Sequence, residues 1–229
     1  MSSNFVTVCL VFCLSGIATE APAAECDALS QAGPRLDSVI IGADGQKVSV
    51  SVPKDYFGGD TYSEKKFQTA RSLLLYMHRE TLFPYRIKDM RGKIGAGIQD
   101  WVDILISNFV NLDRVADISI KIYTTPGRRN ETVASYPYRY GLYRYDIPVD
   151  DRWNLIDVYY AKDPNGKTDV ISCNRPHPEN GKTWPQCNQY TRIKGVDVNF
   201  SYGRQHLPEW SAMRRNVVKL ISCILKTGE

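Results

Sequence analysis

The sequence predicts an α+β fold: mostly antiparallel sheet with a C-terminal amphipathic helix packed on it. Three observations lead there. Runs with alternating apolar side chains recur, such as Val48, Val50 and Val52, or Val196, Val198 and Phe200. A period of two marks a strand with one buried face. Turn chemistry separates neighbouring runs, with Asp44-Gly45 before Lys47–Val52 and Asp163-Pro164-Asn165-Gly166 after Trp153–Lys162. Such turns join hairpins and favour antiparallel pairing over parallel crossovers. The clearest helical stripe comes last, where Trp210, Met213, Val217, Leu220, Ile221 and Ile224 fall on one side.

The chain of 229 residues opens with an apolar run, Phe5–Ala18, that is too short to span a bilayer. It is followed by Ala21-Pro22-Ala23-Ala24, small residues of the kind a signal peptidase accepts. Residues 1–23 therefore read as a signal peptide, although no Lys or Arg precedes the apolar run. Residues 24–229 read as a single exported α+β domain. Glu25 before Cys26 and Phe12 before Cys13 argue against a lipoprotein. Loss of the leader removes Glu20 and moves the formal charge from +4 to +5. That balance slightly favours acidic partners and falls well short of a nucleic-acid binder. No segment predicts stable membrane insertion.

The elements follow in order. Leu36–Ile41 and Lys47–Val52 form a first hairpin ended by Pro53. Tyr56–Thr69 is polar and reads as a surface loop, with room for a short helical turn at its end. Arg71–Leu82 suits either a strand or a helix; the aromatic content and the flanking Pro84 favour a strand. Lys88–Gly97 is a glycine-bearing connector lacking the Gly-Lys-Ser/Thr ending of a phosphate loop. Asp100–Phe109 and Asp117–Thr124 read as strands, the second alternating at Ile118, Ile120 and Ile122. Tyr136–Tyr145 is extended, with Gly141 a candidate bulge. Trp153–Lys162 and Lys167–Cys173 form a second hairpin, Arg175–Gln186 is a polar loop, and Tyr190–Tyr202 carries another strand. A helix runs from Pro208 to Leu225. Pro208 and Glu209 suit its first turn, and Arg214, Arg215, Asn216 and Lys219 lie on its polar side.

Cys9 and Cys13 leave with the leader, and Cys26, Cys173, Cys187 and Cys223 remain. An even number in an exported chain predicts disulfides, and four cysteines allow three pairings. Cys173–Cys187, closing a short loop, and Cys26–Cys223, pinning the N-terminal segment to the last helix, are favoured. A mixed zinc site of Cys173, His177, Cys187 and His206 fits no standard finger spacing.

No catalytic or cofactor motif stands out. The three histidines, His78, His177 and His206, have no recognisable nucleophile beside them. Asp146 with Asp150 and Asp151, or Asp100 with Asp103, would serve a glycosidase, but acidic residues at strand ends are commonplace. Asn130-Glu131-Thr132 and Asn199-Phe200-Ser201 are glycosylation sequons that matter only in a eukaryotic source. The unusual feature is the concentration of Tyr136, Tyr138, Arg139, Tyr140, Tyr143, Arg144 and Tyr145 within ten residues. Rigid aromatics and arginines carry much of the energy of protein interfaces, so these seven are the candidate interface. Tyrosine is also common in strands, and covering the rim of a core is the competing explanation.

Several sequence stretches together carry a resemblance. They are Gly141-Leu142-Tyr143-Arg144-Tyr145, Asp157-Val158-Tyr159, Ile171-Ser172-Cys173, Pro185-Gln186-Cys187, the strand at 198–202 and Leu207-Pro208-Glu209-Trp210. Over residues 136–225 the chain resembles periplasmic immunity-type proteins associated with bacterial type VI secretion effectors. Residues 50–56 add a looser likeness. The resemblance implies a periplasmic or secreted protein that docks on a toxin and blocks it, with no catalytic residues to carry over; the residues themselves predict no metal and no cofactor. A secreted hydrolase and a cell-envelope accessory protein are the alternatives.

Overall fold

A computed structural model describes residues 26, 33–41, 47–57, 72–85, 100–107, 111–124, 126–147, 156–176 and 185–225. Among the described residues, ten strands form a two-stranded hairpin and an eight-stranded sheet, accompanied by two α-helices. The hairpin is β1 (Arg35–Ile41) with β2 (Lys47–Pro53), paired from Arg35↔Pro53 to Ile41↔Lys47. The large sheet contains β3 (Ser72–His78), β4 (Trp101–Ser107), β5 (Ser135–Pro137) and β6 (Tyr143–Tyr145). It is completed by β7 (Ile156–Asp163), β8 (Gly166–Asn174), β9 (Gln186–Ile193) and β10 (Val196–Gly203). Its order is β3-β4-β10-β9-β8-β7-β6-β5, and every pairing is antiparallel.

The period-two pattern sorts the side chains of this sheet into two cores. On one face Leu73, Leu75, Met77, Val102, Ile104, Ile106, Ile171, Val198 and Phe200 meet α2 (Trp210–Ile224). This helix buries Met213, Val217, Leu220, Ile221 and Ile224, most of the stripe read from sequence. The β1–β2 hairpin joins the same core through Ile40, Val50 and Val52. Val50 bridges Leu225, and the Arg35 guanidinium donates to the Cys223 carbonyl. On the opposite face Ile156, Val158, Tyr160 and Val170 meet α1 (Leu112–Tyr123) through Val115 and Ala116.

Helix α1 corrects one reading. Asp117–Thr124 is not a strand but the C-terminal part of a helix that begins at Leu112. Asn111 caps it, its side chain accepting from the Arg114 amide at 2.8 Å. The buried face is set by Val115 and Ala116, with Leu112 and Ile120 packed beside them. Ile118 and Ile122 face solvent. The alternation of isoleucines thus mixed two faces of a helix.

A second correction concerns Tyr190–Tyr202, which is two strands. β9 and β10 meet across Lys194-Gly195, with Ile193 opposite Val196. Both turn residues have positive φ, 46° at Lys194 and 83° at Gly195. That is the geometry a two-residue hairpin requires, and lysine seldom supplies it. Third, Gly141 is not a bulge. With Tyr140 it forms the centre of a tight turn between β5 and β6, both residues at positive φ, closed by the Leu142 amide donating to the Arg139 carbonyl. Fourth, α2 starts at Trp210, after a 3₁₀ segment over Arg204–Glu209 that contains Pro208. Glu209 makes no side-chain cap; it pairs with Arg79. Fifth, the polar side of α2 is not all solvated. Arg214 reaches the buried Asp169 at 2.9 Å, and Asn216 donates to the Arg79 carbonyl.

The first and second hairpins form as read. In the second, Asn165 donates its amide to the Asp163 carboxylate at 2.7 Å, a side-chain-braced turn. Arg71–Leu82 resolves as a strand over Ser72–His78. Cys26–Cys223 and Cys173–Cys187 are both bonded. The surface-loop reading of Tyr56–Thr69 fails at its start: Tyr56 and Phe57 lie on a short 3₁₀ turn and are buried in the first core, the Tyr56 hydroxyl donating to the Leu82 carbonyl at 2.7 Å. The residues assigned to the signal peptide, the Asp44-Gly45 turn, the rest of that loop at 58–69, the connector at 88–97, and His177, Asp150 and Asp151 lie outside the described residues. Among the described residues no helix is long and apolar enough to cross a membrane.

Candidate functional site

The tyrosine and arginine segment folds back on itself at one end of the large sheet. β5 is the edge strand, and β6 pairs it with β7: Tyr136↔Arg144, then Arg144↔Tyr159. Five of the seven candidate residues divide between the two faces of the sheet, and Arg139 and Tyr140 lie in the turn between β5 and β6.

Tyr143 and Tyr145 go to the face that carries α1. Both pack on Tyr160, with ring centroids 5.1 and 5.0 Å away. The Lys162 ammonium lies 4.3 Å from the Tyr143 ring, and Lys167 lies over Tyr160. These two tyrosines are half-buried, and their rings cover the margin of the second core. Here the rim explanation holds.

Tyr136, Tyr138 and Arg144 go to the other face. Tyr138 packs on Tyr159 at 5.1 Å, and the Arg144 guanidinium lies 5.9 Å from the Tyr138 ring. Beneath them is a cluster that sequence reading missed. Asp157, on β7, is 5% exposed and receives three arginines. Arg144 reaches its Oδ1 at 2.7 Å, and Arg175 reaches the same oxygen through Nε and Nη2 at 2.8 and 2.6 Å. Arg204 takes Oδ2. These arginines come from β6, the end of β8 and the start of the segment leading to α2. Their separation in sequence, up to 60 positions between Arg144 and Arg204, concealed the grouping. Only the antiparallel register of β6, β7 and β8 brings them together.

The electrostatics follow from this crowding. Burial alone would push the Asp157 carboxyl up, but the hydrogen bonds and charges of Arg175 and Arg204 outweigh it and hold the group below the usual carboxylate range. Burial and the Asp157 charge push the Tyr159 phenol up, so it stays neutral. Among the described residues, one carboxylate against three guanidiniums leaves the cluster with an excess of two positive charges. Arg204 is fully engaged, since it also donates to the carbonyls of Cys173 and Asn174. The Cys173–Cys187 disulfide lies at the base of this region and fixes the end of β8 against β9.

The connecting turn is held rigidly. Tyr140 adopts φ 64°, ψ 26°, a left-handed conformation costly for a residue with a large side chain. The Trp210 indole donates to the Tyr140 carbonyl at 2.9 Å and ties this turn to the start of α2. Tyr136 and Tyr140 are left 39% and 44% exposed beside an exposed Arg139. Strain of this kind persists only where surrounding structure enforces it.

The other residues weighed from sequence are dispersed. His78 packs near Tyr85, and His206 approaches Glu209 at 3.9 Å. Asp103, on β4, stands opposite Tyr76 and Ser201 on the face turned from α2. Burial pushes its carboxyl up to about 6, and its Oδ1 has no hydrogen-bond partner. Cys173 and Cys187 are bonded to each other rather than arranged as metal ligands.

No family model matches the chain, and no curated protein matches it. Two solved structures are similar in fold. An immunity protein of the Stenotrophomonas maltophilia type IV secretion system is 15% identical, with a TM-score of 0.54 over 80% of this chain and 97% of that one. The iron-regulated outer membrane lipoprotein FrpD of Neisseria meningitidis is 12% identical, with a TM-score of 0.50 over 85% of this chain and 93% of that one. At these identities the likeness is one of fold, and it takes in nearly the whole of each neighbour and four-fifths or more of this chain.

Proposed function

We propose that this chain is an extracytoplasmic binding protein that neutralises a protein toxin by docking on it. The observation that carries the reading is the rigid tyrosine and arginine edge formed by β5, β6 and the turn between them. Exposed aromatics on a backbone fixed before binding lose little entropy on association. The two disulfides suit an oxidising compartment. The fold shared with a secretion-system immunity protein supports the same direction. A type VI effector is the partner class suggested by the sequence resemblance, and removal of residues 1–23 on export completes the proposal.

The test is co-expression with the product of the neighbouring reading frame, directed to the periplasm. Binding in a pull-down and survival of cells that otherwise die are expected. Death of the cells despite stable, exported protein overturns the proposal for that pair.

A further inference from the structure

We propose that the arginine cluster around Asp157 is a receptor for a carboxylate side chain, and that the partner presents an acidic protein segment to it. This deepens the docking function proposed above and rests on it for the biological setting.

The inference begins with unequal use of the three arginines. Arg204 spends both Nη atoms on protein acceptors and serves as the internal counter-charge of Asp157. Arg144 uses only Nη2 on Asp157, and Arg175 uses Nε and Nη2. Their Nη1 donors have no hydrogen-bond partner among the described residues. Arg144 also buries its Nε without one. The two side chains are 28% and 32% exposed, whereas Asp157 is 5% exposed. Asp157 therefore orients the guanidiniums from beneath and leaves the Nη1 donors of Arg144 and Arg175 unengaged by any described residue.

A carboxylate is the complement to such donors, because a planar guanidinium offers parallel N–H groups in a fork. Among the described residues Asp157 balances only one of three charges, so a second carboxylate meets a cluster that still carries excess positive charge. Tyr138 supplies an aromatic wall beside Arg144, and the exposed Tyr136 extends the surface along β5. Augmentation of the sheet edge is disfavoured by the shortness of β5 and by Pro137, which has no amide to donate. Recognition through side chains is the mode that this edge permits.

The full-length oxidised protein tests the inference without any toxin. Soluble peptides carrying paired Asp or Glu residues are titrated against it by NMR, alongside peptides with Asn or Gln at those positions. The acidic peptides are expected to shift resonances at Tyr138, Arg144 and Arg175, and the amide versions to shift none of them. Arg175→Gln and Arg144→Gln are each expected to weaken peptide binding about tenfold, while Arg139→Gln changes it less than twofold. Thermal unfolding of each variant checks that the fold is kept, since Arg204 still holds Asp157. Equal binding of amide peptides overturns the inference. So does tighter binding of inorganic phosphate or of phosphatidylglycerol vesicles, which would make the site a phosphate or membrane receptor. If acidic peptides bind here and the co-expressed effector is not neutralised, the toxin reading fails and the carboxylate site stands. If the effector is neutralised equally well by the Arg144→Gln and Arg175→Gln variants, the toxin reading stands and this one fails.

Discussion

Asp103 and Asp157 are both carboxylates on the large sheet, and their surroundings give them opposite pH behaviour. Asp157 has arginines and sits below its ordinary value, so it stabilises the fold above the unfolded carboxylate pKa, near 4. That contribution is lost as pH falls through the lower folded value. Asp103 has burial without a compensating charge, and its folded pKa is raised to about 6. Its protonated form suits the fold, so its relative stabilisation is complete below pH 4 and is lost as pH rises to 6. Asp103→Asn is therefore expected to stabilise the protein at pH 7, by up to about 3 kcal/mol from a shift of about two units. The gain should disappear at pH 4. Urea unfolding at the two pH values checks this; an equal effect at both would show that the carboxylate's charge is not the cause.

Among the elements, α1 shows how a local pattern misleads. Ile118, Ile120 and Ile122 alternate perfectly, yet only Ile120 packs inward. The deciding signal lay earlier, in Asn111 followed by Leu112, Val115 and Ala116 at helical spacing. Asn111→Ala removes the acceptor of the Arg114 amide and is expected to cost about 1 kcal/mol. A fall in the chemical-denaturation midpoint at unchanged slope would confirm it, and an unchanged midpoint would show that packing alone fixes the start of α1. The β9–β10 turn has a similar lesson. Lys194-Gly195 lacks the Asn-Gly or Asp-Gly signature, so the strands merged when read from sequence. Pairing of Ile193 with Val196 forces the turn regardless of lysine's preference.

For the molecule as a unit, the two disulfides act at different ranges. Cys173 and Cys187 are 14 residues apart, whereas Cys26 and Cys223 are 197 apart. In the chain-entropy picture the first contributes about 3 kcal/mol and the second about 5 kcal/mol. Paired alanine substitution is thus expected to cost more stability for Cys26/Cys223 than for Cys173/Cys187. Equilibrium unfolding under oxidising conditions checks the order. The reverse order would show that packing of the fully buried Cys173 and Cys187 outweighs loop closure.

The antiparallel α+β class, both crosslinks and the inward stripe of α2 were legible because each depends on short-range periodicity, turn chemistry or cysteine number. The candidate tyrosines were visible as composition, while the face each one takes is set by the pairing of β5 with β6 and of β6 with β7. What the chain's local patterns left undetermined was everything that depends on register between distant strands. Asp157, Arg144, Arg175 and Arg204 carry no mutual spacing that a sequence window could detect. They become one charged cluster only when β6, β7 and β8 align and the chain returns after β10, because pairwise Coulomb and hydrogen-bond terms act through space rather than along the backbone.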